Sequence, residues 1–322
     1  MGNGKIALMQ PIFNYIITIH NKEDLIEKVL TSVIKCCNNN SFIYPVLDGC
    51  TDRSEEIIDK IIKENAAVKI MKIHTPDVHE TKSINAGLRN SNQKKYGFNI
   101  ILQDDVIIKD FKIEEKIEYI YKWSKKPLGI VSFRMGANFK KNWLTNEENM
   151  PFKDFIENIC GHGSVSTKIV MPGQFNYRAF PFKSPICVPC DVINKFGVLE
   201  EKLSPHTYDD VEYSLRLIKA GYKNGVFALK FHSEKEWGGT RRIQQNVSEV
   251  QKRNINFIRN NYADAINEKE LYGIDMKTYN TPYYSVWRIN INNVFTIIKH
   301  RVKLVLYLAK IFFKKLIKYG NR

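Results

Sequence analysis

The chain lacks any uninterrupted apolar run long enough to span a bilayer, and it lacks the G-x-x-x-x-G-K-[ST] phosphate loop. The first absence argues against a polytopic membrane protein and the second against an ATP-hydrolysing motor. Cys187-Val188-Pro189-Cys190 has no second cysteine pair at zinc spacing, so no zinc site is expected there. Six cysteines in 322 residues (Cys36, Cys37, Cys50, Cys160, Cys187, Cys190) are too few for a disulfide-built scaffold, and reduced thiols in a cytoplasmic setting are the expectation. Gln10, Pro11 and Asn14 interrupt the apolar residues near the start, so no export signal is read. From Thr281 to Arg322 there is not one Asp or Glu, while nine Lys and Arg fall in that stretch.

What is present is ordinary for a globular protein: 43% hydrophobic and 26% charged residues. A chain of 322 residues can hold one large α/β domain with an appendage, or two modest domains. The net charge of +15 is concentrated in the acid-free C-terminal stretch, and the rest is only mildly basic.

Between Tyr15 and Phe133 short β-rich runs alternate with helical periodicity, the pattern of stacked βαβ units on a parallel sheet. The expected strands are 15–20, 42–48, 68–75, 98–103 and 128–133. Expected helices cover 22–37, 52–64, 81–90 and 111–123. From Arg134 to Arg178 the regularity fails, and long loops rather than a second sheet are expected. Order returns in a strand at 185–189, a helix at 208–220 closed by Gly221, and a strand at 226–232.

Ligands of open α/β sheets bind beyond the carboxyl ends of the strands. Three such ends carry polar groups: Thr18-Ile19-His20-Asn21, Asp48-Gly49-Cys50-Thr51-Asp52 and Gln103-Asp104-Asp105. Each alone is an ordinary turn; three on one edge suggest a site. Asp104-Asp105 emerges from an apolar strand, which suits a hard divalent ion such as Mg²⁺ or Mn²⁺ completed by substrate phosphates, or else caps the helix that follows. Asp209-Asp210 opens the 208–220 helix, either as a cap or with one carboxylate capping and the other serving as general base. His232 is a further candidate metal ligand or a structural histidine. Arg241 and Arg242, in a Gly-rich loop, suit diphosphate oxygens or are a solvated pair.

Taken in order, these segments resemble the inverting family 2 glycosyltransferases, which share the GT-A fold. The resemblance runs from Tyr15 to Trp237. It is carried by Ile16-Ile17-Thr18-Ile19-His20-Asn21, by Leu47-Asp48-Gly49-Cys50-Thr51-Asp52-Arg53-Ser54 (similar to V-D-G-S-T-D-G-S), and by Lys82-Ser83-Ile84-Asn85-Ala86-Gly87-Leu88 (similar to A-R-N-x-G-L). Gln103-Asp104-Asp105 resembles the D-x-D metal motif, and Tyr208-Asp209-Asp210-Val211 through Arg216 resembles E-D-V-x-L-x-x-R, followed by Ala220-Gly221-Tyr222. The resemblance implies a nucleotide-diphosphate-sugar donor, a UDP-sugar first among them, and a glycan or lipid-linked acceptor. It implies a donor contact from Asp48, with Thr18, His20, Asp52, Lys82, Asn85 and Asp104 in the matching segments, and metal ligation by Asp105 or Asp104; the residues alone add Arg241 and Arg242 as candidate donor contacts and His232 as a candidate metal ligand. It implies Asp210 as base with Asp209 beside it. Three positions depart: Gln103 replaces the first Asp of D-x-D, Ile84 replaces an Arg, and Asp209 replaces a Glu.

The implied division is a lead-in at 1–14, a GT-A domain at 15–260 (nucleotide-sugar half 15–133, acceptor half 134–260) and a basic helical tail at 261–322. In the tail Lys299, Lys303, Lys310, Lys314 and Lys318 fall within one helical sector. That amphipathic pattern suits a peripheral seat on the cytoplasmic face of an anionic membrane, or packing or oligomerisation. No base-reading motif accompanies the charge, so nucleic acid is not an expected partner. Two rivals stand: a nucleotidyltransferase, for which a Gly-rich loop after the first strand is missing, and an inactive scaffold of the same fold, which the Gln103 departure keeps open.

Overall fold

The computed structural model describes residues 10–94, 96–141, 155–161, 166–233, 247–263, 271, 274–285 and 302. Its first strand, β1 (Ile12–Ile19), reads IFNYIITI and is buried almost throughout. A strand apolar at successive positions is covered on both faces, as in a parallel sheet flanked by helices. β1 lies between β2 (Ser41–Asp48) and β5 (Gly97–Gln103), parallel to both, with Thr18 opposite Val46 and Gln103.

The expected strand at 68–75 is two short ones, β3 (Lys69–Ile70) and β4 (Ile73–Thr75), both on β2. Beyond β5 the sheet continues through β12 (Ile186–Pro189), β7 (Leu128–Ser132), β13 (Lys223–Phe227), β10 (Gln174–Tyr177) and β15 (Tyr279–Asn280). β12 runs antiparallel between β5 and β7, so a reversed strand separates the parallel strands β1, β2 and β5 from the parallel β7–β13 pair.

Helices α1 (Ile26–Ile34), α2 (Ser54–Glu64) and α4 (Ile113–Trp123) cover one face, burying Val29, Leu30, Ile58, Ile117 and Ile120 against Tyr15 and Ile17. On the other face α3 (His79–Asn90), α5 (Cys190–Phe196) and α6 (Asp209–Lys219) bury Ile84, Leu88, Ile193 and Leu217 against Ile16, Val46 and Ile101. Gly221, at φ +83°, follows α6 in the left-handed conformation that glycine adopts without strain.

α3 approaches the sheet closely through Gly87. A Cβ there would stand 2.3 Å from Ile16 Cγ2 and 3.1 Å from Val46 Cγ2. Gly87→Ala gains about 1 kcal/mol of helix propensity but overpacks a junction where such insertions cost about 1–3 kcal/mol. The expected outcome is a lower urea midpoint, and an unchanged or raised midpoint would show that the sheet yields.

The long-loop expectation for 134–178 is corrected. β8 (Met135–Phe139) pairs with β9 (Ile156–Gly161) and β11 (Phe180–Pro181) in a second, three-stranded sheet, packed with α6 and α7 (Val247–Tyr262) around Phe139, Phe155, Phe180 and Ile258. β8 is buried at all five positions, so it shows no period-two alternation, and its Gly136 and Asn138 read as loop residues. Asn138 Oδ1 accepts the Ala179 amide at 3.1 Å, a long-range contact that local periodicity does not reveal.

The expected strand at 226–232 is also redrawn, as β13 and then β14 (Phe231–Ser233) on β6 (Val106–Ile108). Buried Asn224 lies inside β13, and its side chain holds Ile130 N, Ala179 O and Ser214 O. No helix among the described residues is long and apolar enough to cross a membrane. The amphipathic reading of the tail lies outside the described residues, apart from Val302.

Candidate functional site

The carboxyl ends of β1, β2 and β5 meet, and their polar residues bond to one another. The His20 amide donates to Asp104 Oδ2 at 3.0 Å, and His20 Nδ1 lies 2.7 Å from the Asp48 carbonyl oxygen. Asp48 is buried; its Oδ1 accepts Thr75 Oγ1 and the Val78 amide, each at 2.7 Å, which locks the turn after β2 to the start of α3. Gly49 in that turn has φ +60°, and a Cβ there would stand 2.6 Å from Asp77 Cβ. Asp52 accepts the Glu23 and Ser54 amides, tying the start of α2 to the loop after β1. Burial raises its pKa, but the hydrogen bonds from Ser54 and Glu23 outweigh this and hold it below the ordinary value.

The Asp104-Asp105 turn is followed by β6, so neither residue caps α4. Burial pushes Asp104 up to about 6, against the pull of the Lys22 ammonium and the His20 amide. Lys22, itself buried, places Nζ 3.5 Å from Asp104 Oδ1. Asp105 Oδ2 accepts Ser233 Oγ at 2.5 Å, and the half-buried Arg134 guanidinium lies in its field. His232, next along β14, sits opposite Ile107 and is exposed. No group of three or more His, Cys, Asp or Glu able to hold a metal forms among the described residues. Two adjacent carboxylates are nonetheless a sufficient protein share for an octahedral ion whose other ligands are phosphates and water.

Asp209 and Asp210 occupy the first turn of α6, behind Tyr208. Asp209 is fully buried and its Oδ2 takes Lys183 Nζ at 2.5 Å and Thr81 Oγ1 at 2.9 Å. Asp210 accepts the Val211 amide on Oδ1 at 3.0 Å and the Lys183 amide on Oδ2 at 3.2 Å. Burial pushes Asp210 up to about 7, with Asp209 repelling and the Lys183 charge and amide pulling down. Burial opposes the charge on Lys183, but Asp209, Glu80 and Asp210 outweigh it and hold its pKa above the ordinary value.

Lys183 also reaches Glu80 Oε2 at 3.4 Å, and Glu80 Oε1 accepts Gln103 Nε2 at 2.8 Å. One chain of contacts therefore runs from Gln103, beside Asp104, through Glu80 and Lys183 to Asp209. A Gln at 103 can donate to Glu80, whereas an Asp there would face it as a like charge.

The sequence model of Glycosyl transferase family 2 matches residues 15–202, more than half of the chain. The chain belongs to glycosyl transferase family 2. No curated protein matches it significantly. Among solved structures it is similar to S. aureus TarS 1–349, at 14% identity and TM-score 0.47, covering 69% of this chain and 60% of that one. It is also similar to the mannosyltransferase PcManGT from Pyrobaculum calidifontis, solved with GDP-Man and Mn²⁺, at 13% identity and TM-score 0.47, covering 71% of this chain and 59% of that one. A third, GalNAc-T7 with UDP, GalNAc and Mn²⁺, shares 12% identity at TM-score 0.49, covering 67% of this chain and 42% of that one. The chain thus spans less than two thirds of the length of each of these structures.

The expected donor residues of this family 2 chain do not all face one place. Thr18, His20, Asp48 and Asp104 share the strand-end cluster, and Asp52 secures its loops. Asn85 is buried in α3, where it exchanges hydrogen bonds with both the amide and the carbonyl of Leu199 and also donates to Glu201. Lys82 is exposed on the same helix, in the field of Glu201. Arg241 and Arg242 lie outside the described residues. Sequence reasoning missed Lys22, Glu80, Lys183 and Arg134. Lys22 had a usable signal, since a lysine two residues past a strand end must either leave the site or neutralise an acid in it. Lys183 stands in a stretch without periodicity and had none.

Proposed function

We propose that this family 2 chain is an inverting, nucleotide-sugar-dependent glycosyltransferase in which Asp210 is the general base. The observation that supports this best is the state of Asp210, a buried carboxyl raised to about 7 whose Oδ2 is held by the Lys183 amide. A base with a pKa near the working pH is both available and strong enough to take an alcohol proton as the new bond forms. The acceptor O–H proton passes to Asp210, the acceptor oxygen bonds to the anomeric carbon, and the bond from that carbon to the diphosphate oxygen breaks on the opposite face.

The strand-end cluster at His20, Asp48 and Asp104 would seat the nucleotide. Asp105, with Asp104, would hold Mg²⁺ or Mn²⁺, which supplies charge neutralisation to the departing diphosphate. Lys22 and Arg134 add fixed positive charge on the same side. The tail is taken to begin after Ser285, because β15 (Tyr279–Asn280) belongs to the main sheet, while the halves at 15–133 and 134–260 are carried forward with this reading. So is a glycan or lipid-linked acceptor, reached from the cytoplasmic face of a membrane on which the acid-free stretch after Ser285 would rest. The placement of that charge supports it.

The test is nucleoside diphosphate release from a panel of UDP-, GDP- and other nucleotide sugars. Release well above background with one donor class, lost on chelation and restored by Mg²⁺ or Mn²⁺, is expected. No release with any donor would favour an inactive scaffold.

A further inference from the structure

At the far end of β6 from Asp105 the structure carries a surface that the transfer reaction does not use. Phe111 is 84% exposed, against 52% for Val302, the next among the described large apolar residues. Single exposed apolar residues are ordinary, but this one is held in place. Buried Asp110 accepts the Phe111 amide on Oδ1 at 2.8 Å and the Lys230 amide on Oδ2 at 3.0 Å, and pairs with Lys116. The Lys109 amide in turn donates to the Lys230 carbonyl at 2.9 Å. Phe111 is therefore presented by a loop fastened at several points, with the exposed Lys109, Lys112 and Lys230 around it.

Beside this loop opens a cavity of about 590 Å³ walled by Met171, Pro172, Pro282, Tyr283 and Tyr284. Tyr283 packs edge-on against Tyr119 at 5.6 Å and lies 5.7 Å from Lys116 Nζ. Glu115, 3.3 Å from Lys112 Nζ, is an acidic neighbour of this face, along with the buried Asp110. Ser285 is part of the cavity wall, and all nine Lys and Arg of the acid-free stretch follow it in the sequence.

An exposed aromatic ring among lysines, next to a hollow lined by Met171, two prolines and two tyrosines together with Lys112, Lys116 and Lys230, and followed in the sequence by a cationic, acid-free stretch, has the chemistry of a bilayer interface. We propose that this face seats on an anionic phospholipid surface, with Phe111 inserted among the acyl chains and Lys109, Lys112 and Lys230 at the phosphates. The inference rests on the membrane reading of the tail and extends it to the folded domain. With the four residue steps from Asp105 to Lys109 spanning roughly 13 Å of extended chain, seating this face would fix how the cleft stands above the lipid.

The full-length Phe111→Trp chain tests this with vesicles of equal parts phosphatidylcholine and phosphatidylglycerol. Relative to the unsubstituted chain, the added indole emission is expected to shift to the blue and to be quenched by brominated lipid, with no change on phosphatidylcholine alone. Replacing Lys109, Lys112 and Lys230 together by Gln is expected to weaken vesicle binding by about a hundredfold, from roughly fivefold for each well-placed lysine. Three results would overturn it: no vesicle binding, binding through the tail with the indole at 111 still in water, or burial of that indole without lipid as the mass doubles, which would assign the face to a second copy. Diphosphate release with a water-soluble acceptor should be unchanged in the Phe111→Trp chain, so this proposal and the proposed transfer can fail separately.

Discussion

Asp210→Asn should lower glycosyl transfer by about 10²–10⁴-fold while leaving nucleotide binding nearly intact. The substitution keeps the size of the side chain and one acceptor oxygen, and removes the site for the acceptor's proton. Its effect on folding is a balance of two terms. Asp209 loses a like-charged neighbour, which favours the variant. Asp210 accepts two amides, from Val211 and Lys183, and an Asn must turn its NH₂ toward one of them, at a cost of about 1–3 kcal/mol. Since these terms oppose, the urea midpoint should move little and lost transfer cannot be put down to unfolding.

The pH profile adds a second readout. With Asp210 at about 7 in the free protein, the base is protonated at low pH, so kcat/KM should rise about tenfold per pH unit below 7 and level above it. That limb should vanish in Asp210→Asn. Transfer within about tenfold of the unsubstituted enzyme would remove Asp210 from the chemistry.

The nucleotide-side strands were legible because burial on both faces writes them as apolar runs: β1, β2 and β5 stand within a few residues of their expected bounds. α6 was legible from a different signal, the stripe of Val211, Leu215 and Ile218 closed by Gly221. The second sheet was not. Its strands are short, β8 contains Gly136 and Asn138, and what makes them strands is pairing with residues far along the chain, such as Phe180 with Ala137. The acids of the candidate site announced themselves by position after strands and at a helix start. Their cations did not, because Lys183 meets Asp209 across 26 residues and Lys22 meets Asp104 across 82, and no local period records such a pairing. Asn85 shows a long-range role of the same kind. Its side chain bonds to Leu199 and Glu201, more than a hundred residues further along the chain.

Lys183 carries the second large expectation, because one buried ammonium stands among three carboxylates. Lys183→Met leaves Asp209, Asp210 and Glu80 without it. Removing one partner of a buried pair costs about 3–5 kcal/mol, far more than the pair itself contributes. The sign of the pH dependence follows from Asp210. Its folded pKa is already above the unfolded value, and Lys183 is one of the groups holding it down, so the variant's folded pKa rises further. A carboxyl raised on folding destabilises progressively as pH climbs from its unfolded value through its folded one. The stability deficit of Lys183→Met should therefore be largest above neutrality and shrink in acid, as read from urea midpoints across pH.

In transfer assays the acid limb of kcat/KM should move to higher pH, so that kcat/KM near neutrality falls by about tenfold or more. Lys183→Arg keeps the charge and should keep the limb near 7, with only the loss expected from a bulkier head group. A limb left in place by Lys183→Met, in protein shown to be folded, would mean that Lys183 stabilises the α6 start without setting the base.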